Sequence, residues 1–308
     1  MIVAIGPDLE VRLPRPERYE LVRTLSPLRH GNGDPTTRLE AGRAIRATRT
    51  PGGPATLEVH ETRDELVVRA WGPGAAWVVE GAPDLLGLND DPRALAALVP
   101  PHRLVVELAR RFAGLRLPRT GRIVEALVPA VLEQKITGEE ARQVYRSLIR
   151  VHGEVAPGPF GLRLQPTSER LAGLPYHAYH PLGLERRRAE TLKRIGAVAD
   201  RMEASTNLAL ADAHRRLGAV PGIGPWTVGE VARCALGDPD AISVGDYHLP
   251  SLVAFALAGE PRADDARMLE ILEPYRGQRG RVIRLLEASG LAAPRRGPRM
   301  PPRSIAGI

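Results

Sequence analysis

The chain has 308 residues, of which 43 are basic and 36 acidic, so its formal net charge at pH 7 is +7. Apolar residues make up 43% of the sequence, which is enough for a sizeable core and argues against disorder of the whole chain. The single cysteine, Cys234, excludes an internal disulfide framework and any iron–sulfur cluster or zinc site built on four cysteines. No run approaches the roughly 18 apolar residues that a membrane span needs. We therefore expect a cytoplasmic protein, associated with the nucleoid if its source is bacterial.

Arginine carries almost all of the positive charge. All but Lys135 and Lys193 of the 43 basic residues are arginines, and the planar donor fork of arginine suits phosphate oxygens. The excess of positive charge favours a polyanionic partner such as nucleic acid. A compositional bias of the genome is the alternative explanation.

Residues 1–92 predict a small α+β domain with an antiparallel sheet. Apolar residues alternate with polar ones in its extended segments, and a polar turn at 62–64 separates the last two segments. The predicted extended segments are 37–47, 55–61 and 65–71, and a short helix is predicted over 75–82.

Residues 93–291 predict a compact all-α domain, which makes the fold class mainly α. Apolar residues recur there at three- and four-residue spacing, and Gly or Pro separates most of the helices. The predicted helices are 93–112, 122–134, 139–151, 184–203, 208–217, 226–236, 249–258, 264–272 and 279–288. Residues 292–308 have no such periodicity and are predicted to form a disordered basic tail.

One segment between two of these helices reads Pro-Gly-Ile-Gly-Pro-Trp-Thr, from Pro221 to Thr227. Gly222 and Gly224 permit positive φ and let the backbone approach a ligand. We expect the N–H groups of these two glycines and of Trp226 to point outward and to bind one phosphate. The alternative is an ordinary helical hairpin without a ligand.

A carboxylate, Asp246, follows Trp226 by 20 residues, after a short apolar extended run and before the next helix. Taken alone, an aspartate in this place is most simply a helix cap.

The hairpin and the following aspartate together resemble the helix-hairpin-helix DNA glycosylase superfamily, and most closely its AlkA-type 3-methyladenine DNA glycosylases. The residues that match are Gly222 to Thr227, Asp246 with Tyr247, and the Val-Leu-Glu-Gln-Lys-Ile-Thr run over 131–137. The resemblance extends over roughly residues 100–290, and residues 1–92 more faintly resemble the β-rich domain of that branch.

This resemblance implies a catalytic role for Asp246. The carboxylate would stabilise the oxocarbenium-like sugar that forms when the C1′–N bond breaks, and would orient the attacking water. A relative that also cleaves the strand would carry a lysine near the start of the second hairpin helix, where this chain has Trp226. We therefore expect monofunctional hydrolysis without AP-lyase activity.

The resemblance also implies which residues contact the flipped base and the DNA. The residues expected to line the base pocket are aromatic: Trp226, Tyr247, Tyr176 and Tyr179. The residues expected to contact DNA are Gln134, Lys135, Ile136, Gly222, Gly224, Trp226 and Thr227, with either Lys135 or Ile136 as the wedge that fills the gap left by the base. A structural Na⁺ or K⁺ is expected on the backbone carbonyls of Gly218, Val220 and Gly222, with no other cofactor.

The predicted function is removal of alkylated bases, such as 3-methyladenine, from damaged duplex DNA in base excision repair. The chain is predicted to act as a monomer and to have no membrane partner. Two alternatives remain open from the sequence. The chain could be a non-catalytic DNA-binding or damage-sensing protein, or a glycosylase for deaminated or oxidised bases.

Overall fold

The structure is a computed structural model that describes residues 6–98 and 102–294. Its N-terminal part contains the strands β1 (Leu9–Pro14), β2 (Thr37–Glu40), β3 (Arg43–Thr50), β4 (Gly53–Glu61) and β5 (Glu65–Trp71). They form one antiparallel sheet in the order β1–β5–β4–β3–β2. The predicted extended segment 37–47 is two strands rather than one, because Gly42 takes a φ of 67° in the tight turn between them.

Both faces of this sheet are covered. The helices α1 (Leu21–Leu25), α2 (Ala75–Glu80) and α3 (Ala82–Leu85) pack on one face. A two-stranded hairpin of β6 (Glu154–Val155) and β7 (Arg163–Leu164) packs on the other face. Residues on β3 alternate between the two faces, since Ala44 faces the helices whereas Ile45 packs with Leu164 of the hairpin.

The rest of the described chain is helical. Its α-helices are α4 (Arg103–Arg111), α5 (Ile123–Leu132), α6 (Gly138–His152), α7 (Ser168–Gly173), α8 (Tyr176–Tyr179), α9 (Arg186–Ala197), α10 (Ala199–Glu203), α11 (Leu210–Gly218), α12 (Pro225–Val231), α13 (Leu249–Ala258), α14 (Asp265–Leu272) and α15 (Arg279–Ser289). The predicted fold class is confirmed. In the described ranges, no helix is long and apolar enough to cross a membrane.

Several predicted boundaries differ from the observed ones. The predicted helix 93–112 consists of a 3-10 turn at Pro92–Ala97 and of α4, with residues 99–101 outside the described part. The predicted helix 226–236 continues after α12 as a π-helical turn at Ala232–Leu236. The part of the predicted tail beyond residue 294 also lies outside the described residues.

The helical residues form two apolar clusters. One cluster is built around α5, α6, α9 and the turn between α11 and α12. The other joins α4 with α13, α14 and α15. Ala241 belongs to the first cluster and Leu249 to the second, so the segment that carries Asp246 crosses from one cluster to the other.

Buried polar contacts fasten the sheet to α5. The side chain of Glu125 accepts hydrogen bonds from Arg46 Nη2 at 3.0 Å, Thr48 Oγ1 at 2.8 Å and the backbone N–H of Arg49 at 2.6 Å. Glu125 is only 7% exposed, so these contacts replace the water that its carboxylate loses. They tie the sheet to α5, whose last two residues begin the 131–137 run. The predicted division at residue 92 stays a prediction.

Candidate active site

The hairpin of α11 and α12 turns tightly at Gly222. This residue has a φ of 102°, which favours glycine, and a Cβ placed on it would lie 2.2 Å from Thr191 Oγ1 on α9. The turn is further closed by a hydrogen bond from the Ile223 N–H to the Val220 carbonyl at 3.0 Å. Gly222 is therefore required both by its backbone conformation and by its close approach to α9.

Gly224 differs from Gly222 in both respects. Its φ of −100° is extended, which any residue adopts, and no atom lies within 4 Å of a Cβ built on it. In the described part of the chain, no acceptor is found for the backbone N–H groups of Gly224 and Trp226. The surface at Gly224 is thus open, with free donors at the start of α12.

Gln134 supports the hairpin from the protein side. Its Nε2 donates to the Gly222 carbonyl at 3.0 Å and to Thr227 Oγ1 at 2.9 Å. The predicted contact of Gln134 with DNA stays a prediction. The predicted cation site on the carbonyls of Gly218, Val220 and Gly222 also stays a prediction, although the last two of these carbonyls already accept one hydrogen bond each.

The carboxylate of Asp246 is held by three N–H donors. The indole Nε1 of Trp226 donates to Oδ2 at 3.0 Å, while the backbone N–H groups of His248 and Leu249 donate to Oδ1 at 2.7 and 2.8 Å. The side chain therefore accepts from the N–H groups of His248, the N-cap residue of α13, and of Leu249, its first residue, and it also contacts the second helix of the hairpin. The hairpin motif is thus in direct contact with the aspartate that follows it 20 residues later in the sequence.

Residues 242–246, which we call the strap, lie directly across α12. A Cβ on Gly229 would be 2.4 Å from the Ile242 carbonyl, so the absence of a side chain at 229 permits this close crossing. On the outer side, the Gly245 N–H donates to Asp265 Oδ1 at 3.1 Å. The strap is thereby fixed between α12 and α14.

Three charged residues beside the strap were missed by the sequence analysis. Glu230 on α12 accepts a hydrogen bond from Ser243 Oγ of the strap. Arg233 lies between Glu230 and Glu287 of α15, with Nη1 3.3 Å from Glu230 Oε1 and Nη2 2.7 Å from Glu287 Oε2. Burial raises the pKa of Glu230 above its ordinary value. A signal for Glu230 was available, because it follows Trp226 by four residues and so lies on the same face of the helix.

Lys135 lies in the turn between α5 and α6. It is exposed and, with a φ of 58°, it is the one described residue other than glycine with positive φ. The next helix begins with a capping box in which the Thr137 and Glu140 side chains bond to each other's backbone N–H. Ile136 is half-buried beside it. The turn therefore presents Lys135 to solvent, and which of the two residues is the wedge stays a prediction.

No family model matches this sequence. The chain is 32% identical over 173 residues to a protein of Mycobacterium tuberculosis described as a probable bifunctional transcriptional activator/DNA repair enzyme AlkA. That match covers 54% of this chain and about a third (34%) of the length of the relative.

Solved structures match over almost the whole chain. The 3-methyladenine DNA glycosylase of Archaeoglobus fulgidus superposes with a TM-score of 0.74 at 20% identity, over 90% of this chain and 97% of that one. An 8-oxoguanine glycosylase/lyase of Clostridium acetobutylicum superposes with a TM-score of 0.70 at 14% identity, over 92% and 97% of the two chains.

The chain has the fold of the helix-hairpin-helix DNA glycosylases. The resemblance inferred from the sequence, including its relation to AlkA-type proteins, is confirmed.

Within this glycosylase fold, the predicted pocket aromatics occupy different environments. Trp226 is half-buried and bonded to Asp246, whereas Tyr247 is 89% exposed, with its ring centroid 4.8 Å from that of His248. Tyr176 is half-buried and lies below the Arg186 guanidinium, 5.8 Å away. The pocket roles of these residues stay predictions.

The prediction for Tyr179 is wrong. This side chain is completely buried, and its hydroxyl donates to the Leu171 carbonyl at 2.9 Å. It belongs to the core below α9 and offers no surface on which a nucleobase could stack. The sequence pattern could not separate it from Tyr176, because residues three apart share one face of a helix, and only the tertiary packing buries Tyr179 completely while Tyr176 stays half-buried.

Among residues 6–98 and 102–294, no group of three or more His, Cys, Asp or Glu side chains is placed to hold a metal ion.

Proposed function

We propose that the chain is a DNA glycosylase that hydrolyses the N-glycosidic bond of alkylated bases in duplex DNA. The observation that carries this proposal is the contact between Asp246 and Trp226, which joins a fixed carboxylate to a hairpin with an open backbone surface. In such a site the hairpin binds the DNA backbone and the carboxylate acts on the sugar of the extruded nucleotide.

The hairpin supplies the grip on DNA in this proposal. The free N–H groups of Gly224 and Trp226 donate to one phosphate, and the open surface at Gly224 lets the phosphate come close. Positive charge lies beside this surface, since Arg194 Nη1 is 3.4 Å from the Pro221 carbonyl on the outer side of the turn. These contacts are to the backbone of DNA and carry no sequence preference.

Asp246 supplies the chemistry. As the C1′–N bond breaks, positive charge develops on the deoxyribose, and a carboxylate beside it stabilises that charge. Three N–H donors hold the carboxylate in place before the DNA binds, so no reorganisation is needed as the charge develops. The same carboxylate orients the water that attacks C1′.

Two residues support the choice of hydrolysis on alkylated bases. Trp226 occupies the place where a strand-cleaving relative would carry a lysine, and the segment Pro225–Val231 contains no lysine. The rings of Trp226 and Tyr247 flank Asp246, and an aromatic face attracts an electron-poor, alkylated purine.

One observation favours the non-catalytic alternative. Both backbone donors to Asp246 Oδ1 belong to the start of α13, so the carboxylate has a complete structural role as a cap. A protein that only binds damaged DNA would need the carboxylate for that role alone.

Base release distinguishes these functions. The purified chain is incubated with duplexes that contain 3-methyladenine, 7-methylguanine, hypoxanthine, uracil or 8-oxoguanine, and released base is quantified by chromatography. We expect release of the alkylated bases, strand breaks only after heating in alkali, and no covalent product on addition of borohydride. Tight binding without release of any base would support the damage-sensing alternative, and release confined to the last three bases would change the substrate class.

A further inference from the structure

A second carboxylate, that of Glu230, lies next to the strap and takes no part in the chemistry proposed above. Its side chain is 26% exposed and its burial raises its pKa. A carboxylate in such a place needs partners that replace water. It has two such partners: Arg233, which is shared with Glu287, and the hydroxyl of Ser243.

Two side-chain hydrogen bonds connect α12 with the strap. Trp226 reaches Asp246, and Glu230, one helical turn later, reaches Ser243. The strap forms a turn from Ser243 to Asp246, in which the Asp246 N–H donates to the Ser243 carbonyl at 3.2 Å. The position of Ser243 therefore determines the position of the Asp246 backbone.

The remaining contacts of the strap do not replace the hydrogen bond between Ser243 and Glu230. Gly229 permits the approach of Ile242 but offers only van der Waals contact, and Asp265 holds Gly245 from the opposite side. The hydroxyl of Ser243 is thus the one described side-chain group of the strap, apart from the Asp246 carboxylate itself, that hydrogen-bonds to α12.

We infer that Glu230 is a positioning residue, which holds Asp246 at its working place through the hydroxyl of Ser243. This inference rests on the proposed function, since it concerns the aspartate assigned there as the catalytic group. Arg233 in turn holds the Glu230 carboxylate and also pairs with Glu287 of α15, so the orientation of the strap is linked to α15. A small displacement of a catalytic group is sufficient to slow a reaction strongly.

The test compares Ser243→Ala, Ser243→Thr, Glu230→Ala and the double variant Ser243→Ala/Glu230→Ala. Glu65→Gln is the matched control, because Glu65 also pairs with an arginine but lies on the sheet, with Arg12 Nη1 at 2.9 Å. The single-turnover rate of base release and the Kd for duplex DNA are measured for each. We expect Ser243→Ala to slow release by about 10- to 100-fold with little change in Kd. Ser243→Thr and the control should stay near the parent rate.

The double variant should be no slower than the slower single variant, because both substitutions break the same hydrogen bond. Additive losses in the cycle would overturn the inference. Should Glu230→Ala fail to fold, the comparison of Ser243→Ala with Ser243→Thr decides alone.

A readout independent of activity separates this inference from the proposed function. The indole N–H of Trp226 reports on Asp246 directly, and its NMR signal is assigned with Trp226→Phe. We expect Ser243→Ala to shift this signal and to speed its exchange with water, and Ser243→Thr to leave it in place. An unmoved signal overturns the inference. A shifted signal in a chain that releases no base supports the positioning role and overturns the proposed function instead.

Discussion

The two glycines of the hairpin turn should respond in opposite ways to the same substitution. Gly222→Ala introduces a Cβ 2.2 Å from Thr191 Oγ1 at a φ of 102°. The unfavourable backbone costs about 1–3 kcal/mol and the steric overlap about 1–3 kcal/mol more. Gly224→Ala introduces a Cβ with no atom within 4 Å at an extended φ. The free energy of unfolding should then stay the same or rise by about 0.4–1 kcal/mol, because the unfolded chain loses freedom.

Urea denaturation measures these changes in stability, and a second substitution separates their causes. Thr191→Ala removes Oγ1 and Cγ2, the two atoms nearest the new Cβ, but does not change the backbone at 222. The variant Gly222→Ala/Thr191→Ala should therefore recover the steric part of the loss and keep the rest. If Gly222→Ala alone unfolds with the same free energy as the parent chain, the reasoning about this turn is refuted.

DNA binding gives the second half of the prediction. The methyl group of Gly224→Ala occupies the space where the phosphate approaches, so Kd should rise by about tenfold on every duplex sequence alike. The slope of log Kd against log salt should fall by about one unit, since one phosphate contact is lost. Parent-like binding and slope in Gly224→Ala would mean that no phosphate binds at this turn.

Three further predictions concern the framework of the site. Burial raises the pKa of the Cys234 thiol to about 11. Its alkylation by iodoacetamide should therefore stay slow from pH 7 to 9 and accelerate only towards pH 11, whereas the urea-unfolded chain reacts by about pH 9. Fast labelling of the folded chain at pH 8 would contradict this prediction. Tyr179→Phe removes a buried hydrogen bond to Leu171 and should lower the free energy of unfolding by about 1 kcal/mol without altering the rate of base release. A variant of unchanged stability that releases no base would show instead that Tyr179 belongs to the base pocket. Glu125→Gln leaves Arg46 without its buried anionic partner and should cost about 3 kcal/mol in urea denaturation, and a cost below about 1 kcal/mol would show that the sheet is not fastened through this residue.

The parts of the fold that were predicted well are those with long, regular patterns. The helix predicted over 249–258 is observed with the same bounds, and β5 occupies the segment predicted over 65–71. The strand β1 and the hairpin of β6 and β7 were missed. The strand β1 is stabilised by pairing with β5, which is distant along the chain. The strands β6 and β7 have only two residues each, and they pair with each other and pack on β3.

At the site, residues that belong to a local motif were easier to find than residues that act across the fold. Gly222, Trp226 and Asp246 stand in recognisable patterns, and the structure brings the last two into contact. The spacing places Glu230 on the same face of α12 as Trp226, but its contact with Ser243 follows only from the close crossing of the strap over α12. Long-range contacts of this kind depend on tertiary packing and are not encoded in spacing along the chain.

The most direct test of the account compares two aspartates that both accept hydrogen bonds from backbone N–H groups at the start of a helix. Asp246 Oδ1 accepts from the N–H groups of His248 and Leu249 at the start of α13, and Asp264, the N-cap residue of α14, accepts from the Arg267 N–H at 2.9 Å. Asparagine is also a good cap, so both Asp→Asn substitutions preserve this structural role. Asp246→Asn additionally places an amide donor or a neutral oxygen where the Trp226 indole meets the carboxylate.

The quantity to measure is the single-turnover rate of 3-methyladenine release from duplex DNA, with the Kd of each variant beside it. We predict that Asp246→Asn lowers the rate by about 10²- to 10³-fold, with little change in Kd, and that Asp264→Asn releases base at the parent rate. An Asp246→Asn variant that releases base as fast as Asp264→Asn would show that the carboxylate at 246 is only a cap.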